Sequence, residues 1–288
     1  MPELPEVETI KRGLARNIIG KKIAGFDSDW AKMLNLSLPE YRRILTGKRI
    51  KGIERRAKMI IIDLSDDWRL WFHLKMTGQL VFSNGKKCVV GGHPIREGFS
   101  CGPTKFTHAT FSFGDKSHLY FNDVRKFGWV RLYRSKELAA RLDAMKLGPE
   151  PLSPEFTLKL FQALLKKKPN NKIKAFLMDP QNVVGLGNIY SDEVCFFARV
   201  RPDRRVKSLK EGETKLLFRG IRKILTAAIK YEGTSFSDYV NALGEAGGYT
   251  KKLKVYQRFG QKCRRCGGKV GRMKFGGRTS HFCLSCQK

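Results

Sequence analysis

The last forty-five residues constrain this chain more than any other stretch. They carry Cys263-x2-Cys266-x16-Cys283-x2-Cys286 and are too rich in Gly and Cys to form an apolar core alone. Each CxxC can place two thiolates on one side of a tight turn, and two such pairs complete a tetrahedral Zn2+ site. The sixteen-residue spacing fits a ribbon with a hairpin between two knuckles, for which Gly267-Gly268 and Gly276-Gly277 supply turns. Arg264, Arg265, Lys269, Arg272, Lys274 and Arg278 make this finger basic, as a phosphate or groove contact requires. A purely structural metal fits equally well.

Charge narrows the partner. Lys and Arg number 57 against 26 Asp and Glu, a net charge of +31 spread over 288 residues. Such an excess repels itself and calls for a polyanion, nucleic acid before a membrane surface. No stretch is apolar enough to cross a bilayer, and the N-terminus has no apolar signal region, so an intracellular protein is expected. Three further cysteines, Cys88, Cys101 and Cys195, are scattered, giving seven in all. That pattern points to metal binding in a reducing compartment rather than to a disulfide framework.

Hydrophobic periodicity divides the chain. Residues 5–19 place Val7, Ile10, Leu14 and Ile18 at helical spacing, and Gly20 ends the helix. From 21 to about 134 short alternating or apolar runs follow, at 22–27, 49–56, 58–64, 68–74, 79–83, 107–113, 118–122 and 128–133. Turn residues such as Asn84-Gly85 separate them, as in an antiparallel β-sandwich or barrel. Residues 85–105, with five glycines and two prolines, read as an irregular excursion. Residues 135–154 read as a linker in which Pro149, Pro151 and Pro154 break any helix. Helical spacing then marks 155–166, 172–178, 187–197, 210–231 and 235–243. The resulting domains are 1–134, the linker 135–154, a helical domain 155–248 and the finger 249–288.

Four short motifs carry candidate chemistry. If Met1 is removed, Pro2 presents a secondary amine that titrates near pH 8, so part of it is neutral and nucleophilic at physiological pH. Glu3 and Glu6 lie beside it and could handle protons. Pro followed by acidic residues is also an ordinary helix start, and these six residues alone do not decide. Lys58 opens an apolar strand, either as a solvated edge charge or as a phosphate anchor. Asn122–Trp129 mixes Arg125, Lys126 and Phe127 beside Gly128; such a loop can enter a base stack while cations hold phosphates. Met76 is either core or an exposed wedge. Gly185-Leu186-Gly187-Asn188 between two helices is either a plain turn or a backbone-phosphate grip.

Taken together, these motifs resemble the formamidopyrimidine-DNA glycosylase group of the Fpg/Nei family. The resemblance covers essentially the full length. It rests on Met-Pro-Glu-Leu-Pro-Glu-Val-Glu-Thr at 1–9, Lys75-Met76-Thr77-Gly78, Asn122-Asp123-x-Arg125-Lys126-Phe127-Gly128 and Leu147-Gly148-Pro149-Glu150-Pro151-Leu152. Gly185-x-Gly187-Asn188-Ile189-Tyr190, Gly233-Thr234-Ser235-Phe236 and the four-cysteine finger complete it.

The resemblance implies an α+β fold: an N-terminal antiparallel β-sandwich with flanking helices, then a helical helix-two-turn-helix domain ending in a zinc finger. It implies a bifunctional DNA glycosylase and abasic-site lyase of base-excision repair. Such an enzyme removes oxidised purines from damaged double-stranded DNA, as a monomer with one structural Zn2+. By resemblance Pro2 is the nucleophile and Glu3 the acid, with Glu6, Lys58 and Arg278 at the catalytic centre. Met76, Arg125 and Phe127 fill the gap left by the flipped base. Lys174, Asn188, Arg258 and Arg278 contact DNA. Alternatives are an endonuclease VIII-type glycosylase for oxidised pyrimidines, or a non-catalytic zinc-containing DNA-binding protein. Three departures bear on loop geometry: Ala57 stands where Gly is expected, Gln257 interrupts Tyr-Gly-Arg, and 86–106 is long. Residues 233–249 look like the loop that closes over an extruded base.

Overall fold

The computed structural model describes residues 1–92, 101–234 and 247–288. They fall into two compact units. One comprises 1–144 with 231–250, the other 145–230 with 251–288.

The first unit is a β-sandwich behind an N-terminal helix. Helix α1 (Leu4–Ile18) follows an N-cap at Glu3, with Pro5 in its first turn, where a missing N–H costs nothing. One sheet has the order β2-β3-β4-β9: β2 (Ile50–Arg56), β3 (Met59–Leu64), β4 (Trp68–His73) and β9 (Trp129–Arg134). The other has the order β1-β7-β8-β5-β6: β1 (Ile23–Ser28), β5 (Gly78–Ser83), β6 (Cys88–Gly92), β7 (Thr107–Phe113) and β8 (His118–Asp123). All pairings within both sheets are antiparallel. Ile60, Ile62, Phe72 and Val130 of one sheet face Leu80, Phe82, Phe111 and Phe121 of the other in one continuous core. Phe72 sits with its ring centroid 5.9 Å from Phe111 and 6.3 Å from Phe121, which ties the two layers. Each such side chain stabilises by about 1.5–3 kcal/mol when fully buried.

Helix α1 lies on the sandwich through Val7, Ile10, Leu14 and Ile18. At Gly91 of β6 a Cβ would come within 2.4 Å of Ile10, so the helix approaches the bare backbone there. Alternation in strands such as β7 follows from one buried face, whereas β3, β5 and β8 are buried on both and read as apolar runs; the expected strands occur within a residue or two. Three elements went unanticipated. Helix α2 (Leu38–Leu45) is opened by a Ser37/Glu40 capping box. Helix α3 (Ser135–Ala144) occupies the expected linker, because its prolines all lie beyond it. Strand β6 lies inside the expected irregular excursion.

The scattered-cysteine expectation also needs correction. Cys88 and Cys101 form a disulfide with Cα atoms 5.5 Å apart, while Cys195 is a buried free thiol.

The second unit is helical and includes the finger. Its helices are α4 (Leu158–Lys167), α5 (Ile173–Met178), α6 (Asn188–Phe197) and α7 (Glu211–Lys230). Its hairpin pairs β10 (Val270–Phe275) with β11 (Arg278–Cys283). A Cβ at Gly220 of α7 would stand 2.8 Å from Phe197, so the two helices cross closely there. The finger groups with the helices, since Val255, Cys263, Val270 and Cys283 share a core with Phe196 of α6. Residues 231–250 group with the sandwich. The expected helix at 235–243 and most of the expected 233–249 loop lie outside the described residues.

Candidate active terminus, wedge and zinc finger

A buried carboxylate fixes the N-terminus. Glu6 Oε2 accepts from Glu3 N at 2.8 Å. Glu6 Oε1 accepts from Thr234 N at 2.9 Å and Thr234 Oγ1 at 3.0 Å. Pro2 and Glu3 are themselves buried, with Met1 exposed. Both oxygens of Glu6 are thus committed to positioning the chain around Pro2 and Glu3.

Glu8, next on the same helix, ties α1 to the sandwich. It accepts from Lys11 and Arg12, and from Arg55 Nε at 3.1 Å. Arg55 Nη1 also donates to Ala57 O at 2.9 Å. Ala57 and Lys58 form the two-residue turn between paired Arg56 and Met59. Ala57 has φ +56°, the left-handed conformation that favours glycine. Lys58 is thereby held on a braced turn. Lys58 and Lys75 both act on His73; burial first, then these cations, push its pKa down to about 3. His73 Nδ1 accepts from Lys75 N at 2.9 Å, as a neutral ring can.

The wedge residues come together as exposed side chains. Met76 is 43% and Phe127 48% exposed, and Arg125 lies 4.5 Å from the Phe127 ring centroid. Beneath them Asp123 is fully buried. Its Oδ2 accepts from Phe127 N at 2.9 Å and Gly128 N at 2.6 Å, and its Oδ1 from Arg125 N at 3.1 Å. Thr77 Oγ1 donates to the same Oδ1, so one carboxylate joins the Met76 loop to the Phe127 loop. The lysine before each apolar tip is left-handed, Lys75 at φ +51° and Lys126 at φ +54°. Strain of that kind persists only where surroundings over-determine it. A Cβ at Gly128 would meet Phe121 at 2.6 Å and Asp123 at 3.0 Å, which excludes other residues there.

In the second unit Asn188 heads α6 behind Gly185 at φ +86° and the N-cap Gly187. Its Nδ2 lies 3.4 Å from Tyr256 Oη, and its Oδ1 is buried with no hydrogen-bond partner among the described residues. Arg278 is exposed, directly after Gly276 and Gly277, both at positive φ in the hairpin turn.

Two expected DNA contacts are placed differently. Lys174 is only 1% exposed; its Nζ pairs with Asp192 at 2.7 Å and donates to Ser280 Oγ at 2.9 Å. In the free protein it is an internal counter-ion that seats β11 on α5 and α6. Arg258 donates to Gln261 Oε1, Lys254 O and Lys262 O, which commits its guanidinium to the approach to the finger.

Two buried acids in the second unit escaped the sequence reading. Asp192 Oδ2 accepts from His281 N at 2.8 Å. Glu193 Oε1 accepts from Val255 N at 2.9 Å and Tyr256 N at 3.0 Å, and Oε2 from Lys254 N at 2.9 Å. Burial raises the Glu193 pKa against the pull of these three N–H groups. Two adjacent acids in an apolar helix, Asp192-Glu193, were the available signal.

The four finger sulfurs lie within 4.8 Å of one another, with Cys263–Cys286 at 3.9 Å and Cys266–Cys283 at 3.5 Å. A tetrahedral Zn2+ with bonds near 2.3 Å spaces its sulfurs by about 3.8 Å, so the set fits one structural zinc. Arg265 N and Cys286 N point at Cys263 and Cys283 sulfurs, each at 3.4 Å, as thiolate ligands require. Gln287 carries the finger onto its unit, accepting from Cys283 N at 2.7 Å and donating to Val200 O at 2.8 Å. Among the described residues no helix is long and apolar enough to cross a membrane.

A terminus built around buried Pro2 and Glu3, exposed Met76 and Phe127 loops and a basic zinc finger go with a DNA glycosylase of base-excision repair. Family models match in the same order. The formamidopyrimidine-DNA glycosylase N-terminal domain matches 1–130, its H2TH domain 147–240, and the zinc finger found in FPG and IleRS 260–288. The formamidopyrimidine-DNA glycosylase of Halalkalibacterium halodurans is 40% identical over 290 residues, and that of Carboxydothermus hydrogenoformans 41% over 289. Both alignments span all of each chain. The structure of Lactococcus lactis Fpg with abasic-site DNA superposes with a TM-score of 0.87 at 36% identity, covering 99% of both chains. Another, of Lactococcus lactis Fpg with DNA containing an oxidised pyrimidine, gives 0.87 at 37% over all of both chains. The chain belongs to the formamidopyrimidine-DNA glycosylase family.

Proposed function

We propose that this enzyme excises oxidised purines, 8-oxoguanine and formamidopyrimidines, from duplex DNA and then cleaves the strand at the abasic site. The observation that carries this is the Glu6 clamp, which fixes the backbone on either side of the reacting groups before DNA arrives. With Met1 removed, the Pro2 nitrogen attacks C1′ of the flipped nucleotide. An N–C1′ bond forms, the glycosidic bond breaks, and the base leaves. Glu3 protonates the sugar ring oxygen, and the ring opens to an iminium. That cation acidifies the C2′ protons, so β-elimination expels the 3′ phosphate; a second elimination can release the 5′ side. Water then hydrolyses the imine and frees the amine.

Lys58 on its braced turn, Asn188 at the head of α6 and Arg278 at the hairpin tip hold phosphates. Met76, Arg125 and Phe127 fill the vacated stack, which offsets a few kcal/mol of unstacking. The enzyme acts as a monomer inside the cell, where its duplex substrate lies. Family membership disfavours a non-catalytic DNA-binding protein and an endonuclease VIII-type enzyme.

Borohydride trapping on abasic duplex DNA tests the mechanism. A covalent adduct is expected with the processed protein and is lost in Pro2→Gly. An undiminished adduct in that variant overturns the assignment of the amine. Release of 8-oxoguanine should exceed that of thymine glycol from otherwise identical duplexes; the reverse order rejects the purine preference.

A further inference from the structure

The Cys88–Cys101 pair belongs to none of the chemistry above. Its Cα atoms stand 5.5 Å apart across 13 positions, ordinary disulfide spacing. Both cysteines are half-buried, so a small disulfide can reach them. Cys88 opens β6, the outermost strand of its sheet among the described residues, where it pairs only with β5. An edge strand bonded on one side is the first to fray. Yet β6 is the strand whose Gly91 backbone supports Ile10 of α1.

On the far side of Cys101 the chain re-enters the sheet through a polar chain. Thr107 Oγ1 accepts from Thr104 N at 2.8 Å and donates to Asn122 Oδ1 at 2.7 Å. Asn122 Nδ2 donates to Gln79 Oε1 at 2.9 Å. Phe106 O accepts from Asp123 N at 2.9 Å. The disulfide therefore bridges two attachments, one beneath the helix that bears Pro2 and one at the residue that folds the wedge.

We propose that Cys88 and Cys101 are a reversible thiol–disulfide site, oxidised by low-molecular-weight disulfides, that staples the edge strand. One thiolate attacks a sulfur of the small disulfide, forming a mixed disulfide and expelling one small thiolate. The second cysteine thiolate attacks the protein sulfur of that mixed disulfide and expels the other. Two protein thiols are oxidised by two electrons, and one small disulfide is reduced to two thiols. The oxidised form is the tighter one, because the cross-link removes freedom from the unfolded chain.

The test equilibrates zinc-loaded protein with oxidised or reduced glutathione, then quenches, alkylates and measures mass. Oxidised protein should carry two fewer alkyl groups, and peptide mapping should place the bond between Cys88 and Cys101. Its thermal midpoint, read by tryptophan fluorescence, should lie about 5–10 °C above that of the reduced form. Cys88→Ser with Cys101→Ser should fold, match the reduced midpoint and lose all response to glutathione. Nicking of abasic DNA should persist to a higher temperature in the oxidised protein only; this last readout rests on the proposed function. Two separate glutathione adducts, or equal midpoints in both states, overturn the staple. Absence of nicking in both states, with the mass and midpoint results intact, overturns the proposed function and leaves the staple standing.

Discussion

Asp123 in the sandwich and Glu193 in the helical unit solve the same problem in opposite ways. Each is a buried carboxylate that gathers three backbone N–H groups of a functional segment. Asp123 gathers them two, four and five residues away, so the Phe127 loop closes on its own neighbours, with one longer tie from Thr77, 46 residues back. Glu193 gathers them at separations of 61 to 63, so it locks a distant stretch of chain that leads into the finger. Local closure costs little chain entropy, and its loss is felt mainly in the two loops it joins. Long-range closure makes the segment and its unit depend on each other.

The sharpest way to break the comparison is to remove Glu193. Glu193→Ala leaves the buried Val255 N–H and the half-buried Lys254 and Tyr256 N–H groups without their acceptor, at about 1–3 kcal/mol for the buried one alone. Zinc retention by the finger, followed with a colorimetric chelator, should fall sharply. Trp30, Trp68, Trp71 and Trp129 all lie in the sandwich unit, so tryptophan emission should hardly change. An equal loss of tryptophan signal would show that the two units do not unfold separately.

Asp123→Ala comes next. It should weaken binding to abasic duplex by about tenfold, a cost near 1.4 kcal/mol. The finger should keep its zinc. Unchanged affinity would mean that the wedge folds without its carboxylate.

Acid separates the sandwich from the finger in a graded way, with an effect per pH unit no larger than the last. His73 keeps a folded pKa of about 3 against about 6.5 unfolded, so between these values the unfolded chain holds the extra proton. Stability is therefore lost as pH falls from about 6.5 towards 3, at up to about 1.4 kcal/mol per unit. His73→Asn should flatten that slope when wild type and variant are unfolded in urea across the range. Parallel slopes would remove His73 from the account. The smallest expected change is a gain: Ala57→Gly relieves a left-handed alanine and should stabilise by about 0.5–1 kcal/mol. A lowered midpoint in denaturant would show that the turn needs its Cβ.

These contrasts follow what the sequence could and could not say. Alternation marked strands such as β7 because one face is buried, and CxxC spacing marked the finger because sulfur geometry is rigid. Phe127 and Arg125 were legible as a wedge by composition. Asp123 was visible only as part of a motif, since nothing in a sequence says which carboxylate will be buried under a loop. Lys174 was named only through the family resemblance, and nothing in a sequence shows that Asp192 pairs with it across the helix pair. Cys88 and Cys101 read as scattered because pairing depends on where an excursion returns. Strand β6 was hidden by its two glycines: Gly91 is bare where Ile10 of α1 lies on it, and Gly92, at φ +127°, where it closes on Gly78 and Gln79 of β5.

The Asp123 anchor also bears on how quickly a lesion can be found. A loop that had to fold at every base pair would delay each step of a search by its own ordering time. Here the tip arrives shaped, its conformational entropy already spent during folding of the sandwich. With the proposed wedge role, each encounter would ask only whether a base pair yields to a fixed probe, and speed along the duplex would follow electrostatics and friction rather than protein rearrangement.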